Sequence, residues 1–167
     1  MQSDPSLCIG GRQAKQSFAE SPHPTELAQT FIAAARSYLG VPFRHLGRSR
    51  RGLDCAGLAI VAAHDAGFAL DADYRGYGRR PDGASLRALV ARHCRRIDRA
   101  ALAPGDLLLF AGTERLPCHL AIVSDTTPEI AIVHAWAELG RVAEHVLAGF
   151  SGGAPVGAYR PNELEDI

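Results

Sequence analysis

The sequence predicts an α+β fold in which helices come first and an antiparallel sheet follows. Two patterns point to it. Between Thr25 and Cys94 the apolar residues recur at helical spacing or in runs too long for most strands, whereas from Leu107 to Arg160 they fall in short segments split by turn residues. Size agrees with a single core: 167 residues, 47% of them hydrophobic, are enough to enclose a cleft.

Residues 1–23 are rich in Gly, Ser, Gln and Pro and have no sustained period, so they read as a flexible leader to a single domain over 24–167. Thr25 is the expected N-cap of a first helix, whose Leu27, Phe31, Ala34 and Tyr38 form one face and which stops at Gly40 and Pro42. A loop is expected over 41–53. The apolar run 54–64 then reads as a buried helix that begins at Asp54 or Cys55 and closes at Gly67. After a turn-rich stretch over 71–83, Leu86, Leu89, Val90 and Cys94 share one face of a third helix, which puts Cys94 in the core. Strands follow at 107–110, 119–123, 130–134, 141–146 and 156–160, about five in all.

The formal net charge is +0, from 18 basic and 18 acidic residues, so no global field steers the protein toward nucleic acid or anionic lipid. The arginines at 48, 50, 51, 79, 80, 95 and 96 read as solvated loops. Four cysteines, Cys8, Cys55, Cys94 and Cys118, show no CxxC spacing, which indicates neither a disulfide framework nor a zinc ribbon. The start lacks the basic and apolar regions of a secretory signal, and no stretch is apolar enough to span a bilayer. Synthesis in the cytoplasm is expected, with delivery to any outer substrate left to something else.

A thiol attacks a carbonyl as thiolate, and its pKa falls at a helix N-terminus beside an imidazole. Cys55 meets the first condition by position. His119 opens a strand that the apolar residues 120–123 anchor, and His134 ends the neighbouring strand, where its ring can orient the other nitrogen of His119. Three residues on three elements then meet at one cleft.

Gly40-Val41-Pro42-Phe43-Arg44-His45, followed by Gly52-Leu53-Asp54-Cys55-Ala56-Gly57-Leu58, resembles the nucleophile motif of the NlpC/P60 family of peptidoglycan endopeptidases. Pro104-Gly105-Asp106-Leu107-Leu108-Leu109-Phe110, His119-Leu120-Ala121-Ile122-Val123 and Ile132-Val133-His134-Ala135 resemble that family's strand block in its order, and Gly157-Ala158-Tyr159-Arg160 its closing strand. The resemblance implies a papain-like core that cleaves the D-γ-glutamyl to diamino acid bond of the stem peptide, without a cofactor or metal. Cys55 would be nucleophile, His119 base and His134 orienting residue. Arg44-His45, the missing signal and the short domain look most like the phage-tail and prophage branch, whose partners include tail proteins and whose members reach the wall in a virion.

Two departures bear on substrate recognition. Ala56 stands where the family often has serine, and Phe43 where it often has tyrosine. His45 is a candidate donor near the oxyanion, although the backbone N–H of Cys55 is favoured by helix geometry. Asp54 is expected to cap the helix, Cys118 to wall the site, and Trp136 and Tyr74 to line the groove.

Rival motifs fail on context. The GxSxG match at Gly149-Phe150-Ser151-Gly152-Gly153 is followed by no helix and no later histidine, and the glycines at 47 and 52 lack the Lys-Ser/Thr of a phosphate loop. His93-Cys94 and Cys118-His119 are adjacent pairs whose side chains point apart, so they make poor zinc ligands. Two other functional readings remain. In one the same triad acts as an amidase or acyl hydrolase; in the other the domain is a catalytically silent structural or binding module of a phage tail.

Overall fold

The computed structural model describes residues 23–71, 73, 75–79, 83–112 and 117–165. The expected leader, apart from His23, lies outside these residues, and so does Tyr74.

Helix α1 is Pro24–Arg36. Its N-cap is His23 rather than Thr25: the His23 Nδ1 accepts the Thr25 N–H at 3.3 Å. Pro24 fits the first helical position, where a missing N–H costs nothing. Inside the expected loop lies a short hairpin of β1 (Arg48–Ser49) and β2 (Gly52–Leu53). Helix α2, Cys55–Asp65, starts where the sequence predicts, with Asp54 as N-cap.

Helix α3, Ala84–His93, ends one residue before Cys94. Cys94 is buried as expected, but it opens β3 (Cys94–Ile97) instead of closing the helix. The physical reason is pairing with the last strand, in the register Cys94↔Pro161 to Ile97↔Ala158. That ladder draws the chain into extended conformation and leaves Arg95 and Arg96 exposed.

The remaining strands are β4 (Leu107–Ala111), β5 (Pro117–Asp125), β6 (Ala131–Trp136), β7 (Arg141–Val146) and β8 (Pro155–Pro161). They form one six-stranded sheet in the order β3-β8-β4-β5-β6-β7, with every neighbouring pair antiparallel. The α+β class is as the sequence predicts, and β3 is the strand of this sheet that it does not show.

Strand alternation sends side chains to two faces. Leu107, Leu109, Leu120, Ile122, Val133 and Ala135 pack with Phe31, Leu58 and Ala62 of the helices in the larger core. Leu108, Phe110, Ala121, Val123 and Ile132 form a smaller cluster on the other face, against Leu147 and Phe150.

Two ion pairs brace this frame. Arg160, on β8, donates Nε to Asp106 Oδ1 at 2.8 Å and Nη2 to Asp106 Oδ2 at 2.9 Å, and both side chains are buried. Arg36, at the end of α1, grips Glu144 on β7, whose Oε1 also accepts the Ser124 hydroxyl at 2.6 Å.

Candidate active site

Cys55 takes its place from Asp54. The Asp54 Oδ1 accepts the Gly57 N–H at 2.7 Å, which satisfies a helix-end donor, and receives Arg48 Nη1 at 3.0 Å. Its Oδ2 accepts the Leu46 N–H at 2.7 Å and the Tyr77 hydroxyl at 2.8 Å. One carboxylate thus ties the 44–48 loop, the start of α2 and the segment carrying Tyr77. Arg48 also donates Nη2 to the Tyr77 oxygen at 2.8 Å. Its side chain is 6% exposed, so this arginine belongs to the site's interior and not to a solvated loop.

Gly57 makes the close approach possible. A Cβ there would lie 2.1 Å from the Gly47 carbonyl oxygen and 2.6 Å from Arg48 Nη1.

The thiol meets β5 at the point where the sheet opens. Val123 donates its N–H to Asp106 at 2.7 Å, so by antiparallel alternation the N–H groups of Ile122 and Leu120 point the other way, toward β6. The described β5–β6 ladder ends at Ile122↔Val133. Beyond it the backbone N–H groups of Leu120 and Ala56 favour the thiolate form of Cys55.

His119 precedes Leu120 and sits opposite Phe110, so its ring lies with the smaller cluster, 5.8 Å from Phe110 and 5.9 Å from Phe150 between ring centres. Its Nε2 is 2.7 Å from Nδ1 of the fully buried His134. The contact with His134 therefore engages Nε2 and leaves Nδ1 as the other ring nitrogen. His134 Nε2 in turn lies 2.8 Å from Nδ1 of His145 on β7. Three imidazoles on adjacent strands form one chain, roofed by Phe150, with Trp136 stacked on His134 at 5.8 Å. Gly152 leaves room for that roof, since a Cβ there would meet the Phe150 ring at 2.2 Å.

Cys55 opens into a pocket whose walls include Phe43, His45, Tyr77, Leu86, Leu89 and Cys118. Asp54 and Ala56 also border it. Of the described residues singled out for substrate binding, Trp136 alone lies outside this pocket, against the histidines. His45 stands edge-on to Tyr77 at 5.6 Å, with its Nδ1 3.9 Å from Asp54. Among the described residues no group of three or more His, Cys, Asp or Glu is placed to hold a metal, and no helix is long and apolar enough to cross a membrane.

Electrostatics run against the expected low thiol pKa. Burial, reinforced by the Asp54 carboxylate, pushes the Cys55 thiol up to about 12 despite the N–H groups aimed at it. Burial and the neighbouring His134 bring His119 down to about 3, while burial and His145 bring His134 down to about 4. At neutral pH both groups are therefore uncharged.

His145, Arg48 and Tyr77 escape the sequence reading as parts of the site. Strand alternation puts His145 and His134 on one face of neighbouring strands, but this is visible only once the β6–β7 register, His134↔Ala143 and Ile132↔His145, is known.

Fold and site together define an α+β domain with a helix-borne thiol against an imidazole-bearing antiparallel sheet. The model of the NlpC/P60 family matches residues 40–138, and the chain belongs to that family. Among solved structures it is similar to an NlpC/P60 family protein from Bacillus cereus, with 24% identity over 80% of this chain and 40% of that one and a TM-score of 0.60. The NlpC/P60 domain of the peptidoglycan hydrolase SagA matches at 22% identity over 78% of this chain and 96% of that one, TM-score 0.57. The peptidoglycan hydrolase RipB from Mycobacterium tuberculosis matches at 20% identity over 82% and 65%, TM-score 0.57. At these identities the likeness is one of fold. The chain spans 40% of the Bacillus cereus protein and 44% of a related one from Staphylococcus aureus. No curated protein matches it. These comparisons lend no support to the phage-tail and prophage branch in particular.

Proposed function

We propose that this domain is a cysteine peptidase of the cell wall, hydrolysing the peptide stem of peptidoglycan through a thioester at Cys55. The bond from D-γ-glutamyl to the diamino acid is the one proposed. The observation that carries the reading is the 2.7 Å contact between His119 Nε2 and His134 Nδ1, on the two strands against which the helix carrying Cys55 packs. Family membership and the two neighbours named as peptidoglycan hydrolases support the substrate class.

In this mechanism the Cys55 proton passes to Nδ1 of His119 as sulfur bonds to the carbonyl carbon. The oxyanion takes the Cys55 N–H, left without an intrahelical partner by helix geometry. Collapse breaks the C–N bond, and the departing amine takes the proton from His119. A water then gives a proton to His119 and attacks the thioester, and the acid leaves as the thiol is restored.

Asp54 is occupied by Arg48, Gly57, Leu46 and Tyr77, which favours a positioning role over direct ion pairing with substrate. Arg44 lies against Gly52 and His45 beside Tyr77 and Asp54, so packing accounts for the Arg44-His45 pair without a virion. A second reading is a catalytically silent structural or binding module of a phage tail that keeps the fold, in which burial holds the Cys55 thiol well above its ordinary pKa.

Digestion of purified muropeptides, with the products weighed, separates these readings. The wild-type protein should release fragments cut at the stem and Cys55→Ala should not. Equal cleavage by Cys55→Ala would sink the peptidase reading, and binding without cleavage by either would favour the module.

A further inference from the structure

The chain His119–His134–His145 carries information in its direction. A neutral imidazole has one N–H and one lone pair, so each link has one donor and one acceptor. If His119 is to take a proton at Nδ1, its own hydrogen must sit on Nε2 and be donated to His134 Nδ1. His134 then bears hydrogen on Nε2 and donates it to His145 Nδ1 across 2.8 Å. In the reverse chain, His145 donates from Nδ1, His134 donates from Nδ1, and His119 presents an N–H at its Nδ1, where no base is left. The three tautomers change together.

We propose that His145 is a positioning residue, which accepts from His134 and thereby holds His119 in the tautomer whose Nδ1 lone pair is available. This rests on the reading of His119 as the base of Cys55. The surroundings leave the duty to His145. Phe150 and Trp136 pack on the chain, 4.8 Å from His134 and 5.5 Å from His145, and neither titrates. Ile132, opposite His145, is apolar. The adjacent carboxylate, Glu144, alternates to the other face, where Arg36 and Ser124 hold it. Within the described residues the hydrogen bonds of this cluster run between imidazoles alone.

Leucine at 145 removes the acceptor and leaves His134 no reason to keep its hydrogen on Nε2. Asparagine restores one, because its Oδ1 falls near the position of the imidazole Nδ1. On muropeptide, His145→Leu should lose kcat by about ten- to a hundredfold at little changed KM, the range for loss of an orienting partner. His145→Asn should keep most of it.

Imidazole nitrogen-15 NMR reads the tautomers directly and requires no turnover. Wild-type protein should show all three histidines with hydrogen on Nε2, and His145→Leu should move hydrogen to Nδ1 of His119. Hydrogen on Nδ1 of His119 in the wild type would overturn the proposal, and that spectrum decides even if the leucine variant does not fold. Unchanged kcat in a folded His145→Leu variant would overturn it as well. Should Cys55→Ala stay active, the peptidase reading fails while the tautomer result stands on its own.

Discussion

The backbone N–H of Leu120, the residue after His119, favours the thiolate of Cys55, but burial outweighs it. The surroundings of Cys55 and His119 disfavour charge on either group. With His119 brought down to about 3 and Cys55 up to about 12, neither titrates near neutrality. Protonation of His119 removes the base, and a lowered pKa postpones that loss as pH falls. The acid limb of kcat/KM should therefore lie well below the ordinary imidazole value of 6.5, with a flat profile from there through pH 8. An acid limb centred near 6.5, in protein still folded by circular dichroism, would contradict this electrostatic account.

Replacing Asp54 by asparagine separates two effects of one carboxylate. Its charge raises the Cys55 pKa, so removing the charge lowers it and alkylation at pH 8 should become faster. Stability should fall by about 1–3 kcal/mol, because an amide N–H₂ replaces one of the oxygens that accept from Leu46 and Tyr77 and Arg48 loses its counter-charge. Mass-spectrometric rates of iodoacetamide labelling, together with urea melts, read both. Slower labelling in the folded variant would show that the carboxylate does not set the thiol.

Most of the frame was legible because it rests on local rules. The run from Cys55 to Asp65 is apolar almost throughout, Asp54 is a good cap, and the strands from Leu107 onward alternate or are buried on both faces. The apolar period of the third helix runs one residue too far because Cys94 fits it, and only the non-local ladder with Pro161 decides otherwise. Arg48 looked like a solvated charge since nothing in the sequence tells which arginine meets a buried carboxylate six positions away. Cys55, His119 and His134 could be named from position and motif, whereas His145 depends on register, which a single sequence does not fix.

Gly57 offers a steric test of how tightly the site is built. Alanine there forces its methyl into the Gly47 carbonyl, which is backbone and cannot swing aside. We expect Gly57→Ala to lose about 1–3 kcal/mol, the usual cost of overpacking. Activity should fall at least tenfold, since the displaced 44–48 loop carries the partners of Asp54. Gly149→Ala, which meets nothing within 4 Å, is the control and should stay within about 0.5 kcal/mol of wild type. Comparable melts for the two variants would mean that the loop yields freely.

The Asp106–Arg160 pair tests whether the strand frame depends on charge or only on filled space. Asp106 is 1% exposed and accepts from the Ala103 N–H at 2.7 Å as well as from Arg160, which also donates to the Ala101 carbonyl at 2.9 Å. Desolvating two charges is costly, so the pair need not be a large net gain, but breaking it strands one charge in a dry place. Asp106→Ala should therefore cost about 3–5 kcal/mol, because the Arg160 guanidinium keeps its charge at any accessible pH. Adding Arg160→Met to that background removes the stranded charge and should recover a large part of the loss, giving a coupling of at least about 1 kcal/mol in a double-mutant cycle by urea denaturation. Strict additivity of the two changes would mean that Arg160 reaches solvent once Asp106 is gone, and that β4 and β8 are held by their ladder and the apolar cluster beneath it.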